Sequence, residues 1–262
     1  MAKHEPRMVR HTVVFRLLDV LRVIDLTPHM RRIVLGGPEL TGFLSAAPDD
    51  HVKLFFPNSQ GQLARPTMGP QGLVFPDGVE PSPMRDYTPR IHDEANGELT
   101  IDFVLHGDGP AATWAARAAP GQQIAAGGPR GSYIVADDYD HYLLIGDETA
   151  LPAIGRWLEE LPANARATAL IEIPEAADRQ ALQSHAHFDV QWLDRRHGDA
   201  ATSQLLEQAL AQWQVPEGDT FYWIATESRR ARAMRQWLND ERGIEKEHVK
   251  ATGYWKAGPE DD

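Results

Sequence analysis

The sequence predicts an antiparallel β-barrel followed by a doubly wound parallel-sheet α/β domain. In the first half, short apolar or alternating runs recur every ten or so residues between Gly, Pro and Asp, an all-β pattern. In the second half, short apolar runs alternate with segments whose apolar residues recur at three and four positions, which implies right-handed strand–helix–strand crossovers. The period changes at Asp137-Asp138. At roughly 100–200 residues per domain, 262 residues then divide into domains at 1–137 and 138–262.

The barrel strands are expected at Val13 to Phe15, Val20 to Ile24, Arg32 to Leu35, Val52 to Phe56, Leu99 to Leu105 and Tyr133 to Val135. In Thr100 to Leu105 the alternation places Ile101 and Phe103 on one face and Asp102 on the other. Six prolines between Pro57 and Pro83 are too dense for a central ladder, so residues 57–84 read as an extended surface loop of unassigned role. In the α/β half, Tyr142 to Ile145 suits a strand buried on both faces. Leu151, Ile154, Trp157, Leu158 and Leu161 mark the following amphipathic helix. Strands at Ala169 to Ile173, Phe188 to Leu193 and Phe221 to Ala225 alternate with helices around Leu205 to Trp213 and Ala231 to Leu238, the last stopping near Gly243.

Composition excludes several classes. There is no cysteine, which removes disulfide scaffolds, thiolate metal sites and cysteine nucleophiles. With 26 Lys plus Arg against 38 Asp plus Glu, the charge of −12 argues against nucleic acid as a partner. No run approaches the ~18 apolar residues of a membrane span. No signal-peptide core follows the N-terminus, and a cytoplasmic monomer is expected.

Three segments have the residue types for cofactor chemistry. In Arg85-Asp86-Tyr87-Thr88, an extended strand puts Arg85 and Tyr87 on one side. Guanidinium, phenol ring and hydroxyl suit a flavin's diphosphate and ring, and the same spacing also suits plain cross-strand packing. In His106-Gly107-Asp108-Gly109-Pro110-Ala111-Ala112-Thr113, a strand end turns into a helix whose first amides suit a phosphate or form an ordinary β-to-α connection. Gly146-Asp147-Glu148-Thr149-Ala150-Leu151-Pro152 stands where open α/β sheets hold nucleotides, without matching GxGxxG or the P-loop. Asp147 and Glu148 would repel a phosphate there unless they point outward or meet ribose hydroxyls.

The order and content of these segments resemble the siderophore-interacting proteins, the flavin-dependent ferric-siderophore reductases of the ferredoxin-reductase type. The resemblance runs from the Val13 strand to Gly253-Tyr254-Trp255-Lys256-Ala257-Gly258. It implies FAD in the barrel, held by Arg85, Tyr87, Thr88, His106 and the Gly109, Pro110, Ala111, Ala112, Thr113 turn. It implies NADPH or NADH at the α/β domain, with Thr149 and Pro152 shaping the nicotinamide side and Tyr254 and Trp255 returning toward the flavin. A ferredoxin is an alternative donor. Ala225-Thr226-Glu227 departs from the usual Gly-Glu pairing at that strand end.

The resemblance also implies that ferric siderophores are reduced to release Fe2+, which oxygen ligands hold less tightly. The alternatives are a diaphorase with a non-iron acceptor and a non-catalytic siderophore carrier. No protein metal site is expected, because His185 and His187 form the only close histidine pair and suit a solvated surface. An anionic chelate needs local cations within a Debye length of about 8 Å. Lys53 and Arg130 are the substrate-binding candidates, with Arg195 and Arg196 next. Arg229, Arg230 and Arg232 are candidates for the 2′-phosphate that favours NADPH.

Overall fold

The computed structural model describes residues 3–258 and divides into two compact units. One is Pro6–Val135; the other joins residues 3–5 to residues 136–258.

The first unit contains β1 (Arg7–Arg10), β2 (Phe15–Thr27), β3 (Met30–Gly36), β4 (Val52–Phe55), β5 (Thr67–Gly69), β6 (Gly72–Val74), β7 (Met84–Tyr87), β8 (Ile91–Asp93), β9 (Glu98–Val104), α1 (Pro110–Arg117), β10 (Gln123–Gly127) and β11 (Gly131–Ile134). Seven of these strands form one antiparallel sheet, in the order β7-β4-β10-β2-β3-β9-β8. It curls as a half-barrel around Leu18, Ile33, Leu54, Ile101, Phe103 and Ile124, with Ala111 and Ala115 of α1 in the same core. Ile101 and Phe103 face inward as the alternation requires. Asp102 points the other way and is covered by its cross-strand neighbour Arg32, with bonds of 2.7 and 2.8 Å.

Two expectations change. Val13 and Val14 precede the strand, and Phe15 together with Val20 to Ile24 belongs to one strand, β2, which shifts register between Val20 and Arg22. Asp19 does not interrupt it, because its carboxylate accepts the Gln123 amide at 2.9 Å across the sheet. The proline-rich segment carries the small β5–β6 hairpin, turning at Pro70-Gln71. It is pinned by Asn58 Oδ1, which accepts the Gln60 and Gln62 amides, and by Ser82 Oγ, which accepts the Ala64 amide at 2.8 Å.

The second unit contains β12 (His141–Gly146), α2 (Leu151–Glu160), β13 (Arg166–Ile173), β14 (His187–Asp194), α3 (Leu205–Gln212), β15 (Thr220–Glu227), α4 (Ser228–Asp240) and β16 (Val249–Trp255). Five parallel strands run in the order β14-β13-β12-β15-β16. Leu143, Ile145 and Ile224 pack with Leu206 of α3 and Met234 of α4. On the opposite face Tyr142 and Trp223 meet Trp157 of α2. Both faces are therefore covered, which is why β12 reads as a continuous apolar run. Strand order reverses between β12 and β15, so their carboxyl ends flank the switch-point crevice of the sheet.

The C-terminal segment expected as a returning tail is β16, an edge strand paired in parallel with β15. Its end lies hard against the start of α4, where a Cβ on Gly253 would stand 2.8 Å from Ser228 Cα.

Residues 3–5 dock onto this second unit. The His4 ring stacks on Tyr139 at 3.8 Å, with Nδ1 2.7 Å from Asp138 and Nε2 3.1 Å from Asp219. Lys3 also bonds Asp219. The His4 amide and ring hold Asp138 below the usual carboxylate range, and Lys3 and His4 do the same for Asp219. A depressed carboxylate contributes stability above its unfolded value and loses it as pH falls through the folded value. Carboxyl NMR is expected to show both aspartates titrating below ordinary aspartate, with His4→Ala moving both back up.

Candidate functional site

Two of the three segments singled out from the sequence meet in the first unit. On β7, Met84 and Asp86 are exposed, whereas Arg85 and Tyr87 lie half-buried on the opposite face. The Tyr87 ring packs on Phe103 at 4.4 Å, and burial raises its phenol well above the ordinary tyrosine range. Phe103 in turn contacts Trp114 of α1 at 5.6 Å, and Phe56 closes the cluster against both Tyr87 and Trp114. Four aromatic rings thus join β7 to α1. Thr88 is buried just after β7.

The start of α1 is open to an anion. Gly109 is its N-cap and offers no side-chain bond, and Pro110 occupies the first turn, where its missing N–H costs nothing. Thr113 closes the first helical bond to the Gly109 carbonyl at 2.9 Å. No side chain caps the first-turn amides of Ala111 and Ala112, which suits a phosphate. His106 is exposed in the turn before the helix, and Gly107 takes the left-handed conformation that this turn needs (φ 57°).

Of the two cations expected to meet an anionic chelate, Lys53 is half-buried on β4 and donates to Asp86 of β7 at 2.8 Å. Its charge is therefore partly matched within the protein. Arg130 is exposed in the turn between β10 and β11.

The third segment forms the switch point of the second unit. Gly146 ends β12 where a Cβ would meet Ala150 Cβ at 2.5 Å and Ala225 O at 2.9 Å, so strand, helix and neighbouring strand converge there. Asp147 follows and points inward, fully buried. Its Oδ1 accepts the Thr149 amide at 2.9 Å and the Thr149 hydroxyl at 2.5 Å. Its Oδ2 accepts the Thr226 hydroxyl at 2.6 Å and the Trp255 indole N–H at 2.8 Å. Thr149 is half-exposed and Pro152 is buried in the first turn of α2. On β15, Glu227 caps α4 by accepting the amides of Arg229 (2.6 Å) and Arg230 (3.1 Å).

A buried ionic chain fills the carboxyl side of β13 and β14. Glu148 takes both Arg195 guanidinium nitrogens at 2.6 and 2.7 Å. Arg195 also reaches Glu172, which is fully buried and bonded to Arg230 at 2.9 and 3.2 Å. Arg230 ends the chain on Glu207 and the Ala200 carbonyl. Burial raises Glu148 above the usual carboxylate range, with Arg195 opposing the shift.

This chain corrects two sequence expectations. Arg195 is not available for a chelate and Arg230 is not available for a 2′-phosphate, because each guanidinium is committed to buried glutamates. Arg196, Arg229 and Arg232 remain exposed. Asp147 turns inward and not outward, and Glu148 is turned onto Arg195. Sequence reading missed Trp255 and Thr226 as partners of Asp147, and Glu172 as the centre of the ionic chain. Only the Asp-x-Thr spacing at Asp147 and Thr149 was visible, as the signature of a local side-chain turn.

Comparison with known proteins places this geometry. The siderophore-interacting FAD-binding domain matches residues 19–133, and the siderophore-interacting protein model matches residues 139–258. A relative from Escherichia coli, an NADPH-dependent ferric-chelate reductase, is 38% identical over 255 residues, covering 96% of this chain and 97% of its own. The chain belongs to the siderophore-interacting protein family. The ferric vibriobactin reductase ViuB of Vibrio cholerae is 32% identical, with 94% and 91% covered. The crystal structure of a siderophore utilization protein from T. fusca superposes with a TM-score of 0.91 at 37% identity, covering 98% of each chain. FAD is the cofactor of this family's first domain, and the residues here fit it: an uncapped helix start for phosphate, with Arg85 and a partly exposed Tyr87 on one strand face.

The buried chain makes a direct prediction. Arg230→Met strands Glu172 without a full partner and is expected to cost about 3–5 kcal/mol in urea denaturation. Arg229→Met, on the exposed face of α4, is expected to leave the urea midpoint unchanged.

Proposed function

We propose that this protein takes electrons from NADPH and passes them to a ferric siderophore in the cytoplasm, releasing the iron as Fe2+. The observation that carries the reading is the aromatic cluster joining β7 to the uncapped start of α1, because it sets the flavin-motif residues on the same core as the phosphate-binding turn. The relatives named for ferric-chelate and ferric vibriobactin reduction support the substrate class.

In this reading the first unit holds FAD and the second holds the nucleotide. Bound FAD supplies the conversion between a two-electron donor and a one-electron ferric acceptor. Arg85 binds the diphosphate, Tyr87 lies against the ring system and Thr88 bonds its edge. His106 and the turn from Gly109 through Pro110, Ala111 and Ala112 to Thr113 receive the phosphates. Tyr87 resists deprotonation, so its ring stays neutral beside the flavin. Thr149 and Pro152 shape the nicotinamide end of the nucleotide site. Arg229 and Arg232, the exposed members of the α4 cluster, meet the 2′-phosphate. Lys53 and Arg130 draw in the anionic chelate, and the protein supplies no ligand to the iron.

Stopped-flow reoxidation of photoreduced enzyme tests the reading. A ferric siderophore is expected to reoxidise the flavin much faster than quinones or oxygen; equal rates would make this a general diaphorase. Protein that purifies without flavin and fails to take it up would leave only a carrier role.

Two substitutions refine the test. Arg85→Ala removes one charge-assisted phosphate contact and is expected to weaken FAD binding about ten- to a hundredfold by fluorescence titration. Replacing Lys53 and Arg130 together with Ala is expected to slow reoxidation by a trianionic catecholate chelate by roughly tenfold or more at low salt, and less at high salt. Flavin occupancy should be unaffected.

A further inference from the structure

The hydrogen bonds around Asp147 fix the direction in which the switch point binds a partner. The inference rests on the nucleotide reading above. Each carboxylate oxygen receives one donor that can only donate: the Thr149 amide on Oδ1 and the Trp255 indole on Oδ2. Each then has one hydroxyl neighbour, Thr149 at 2.5 Å and Thr226 at 2.6 Å. An ionised carboxylate only accepts, so both threonine protons are committed to Asp147. A hydroxyl whose single proton points inward has only lone pairs left for a ligand.

Thr226 is fully buried, whereas Thr149 is half-exposed at the carboxyl end of β12. The surrounding groups do not favour an anion. Glu227 already fills the start of α4 with its own carboxylate, and Arg195 is spent on Glu148. What suits this position is a neutral group with an N–H or O–H to give.

We propose that Asp147 is a positioning residue for the hydride donor: acting through Thr149, it presents an obligate acceptor that receives the carboxamide N–H of the nicotinamide. The site therefore selects a ring substituent that donates over one of similar shape that only accepts. Trp255 takes part by holding Oδ2, which keeps the carboxylate turned toward Thr149.

The test is calorimetric binding of NADP+ and of its 3-acetylpyridine analogue, in which a methyl ketone replaces the carboxamide, to the full-length flavin-loaded protein. Binding of the oxidised nucleotides reads affinity without turnover. The wild type is expected to prefer NADP+ by about three- to tenfold, the range of one net hydrogen bond. Thr149→Val is expected to bring the ratio near one, and Thr149→Ser to restore it. Asp147→Asn places an amide donor where an acceptor stood and is expected to reduce the ratio; if it fails to fold, the Thr149 pair decides. A ratio unchanged in Thr149→Val, with NADP+ still binding, overturns the inference and leaves the nucleotide reading intact. Equal loss of both nucleotides with the ratio preserved marks a purely structural role and also overturns it. A wild type that binds neither nucleotide overturns both.

Discussion

A buried carboxylate bonded only by neutral donors holds the carboxyl end of the parallel sheet together. Removing Asp147 from water is costly unless its oxygens are fully bonded, and the structure meets that cost with four donors from three separate segments. The entrance to α2, the end of β15 and the end of β16 must therefore all arrive in register. The close approaches at Gly146 and Gly253 belong to the same requirement, because neither leaves space for a Cβ between strand and helix. The local order of the switch point thus depends on a charge that never meets solvent.

The ionic chain beside it follows the same logic with the opposite balance. Three glutamates, Glu148, Glu172 and Glu207, share two arginines, Arg195 and Arg230. Breaking such a network strands a buried charge, so its members are fixed by stability and are not at a ligand's disposal. The two arginines of the network are thereby withdrawn from any ligand, whereas Arg130, Arg196, Arg229 and Arg232 stay exposed.

In the first unit the two sequence readings of Arg85-Asp86-Tyr87-Thr88 turn out to be compatible. Tyr87 packs across the sheet on Phe103, as an ordinary strand tyrosine does, and still keeps partial exposure beside Arg85. A ring already fixed by Phe56 and Phe103 has little further freedom to lose if a planar cofactor meets it. Lys53 shows the reverse case, a cation whose pairing with Asp86 lessens the field it offers to a ligand.

The sequence alone determined the two architectures, because period-two and period-3.6 patterns are local and each element must bury its own face. It also located the α1 turn and the β12–α2 turn, since glycine, proline and short polar residues fix backbone locally. What it left open depends on contacts between residues far apart in the chain. Whether β16 was tail or strand, whether Arg195 and Arg230 were exposed, and which groups Asp147 would bind were decided by which strand ends the parallel order brought side by side. A side chain's type gives the charge it carries. Only its tertiary neighbours, here more than a hundred residues away for Trp255 and Asp147, decide whether that charge is spent inside the fold or kept for a ligand.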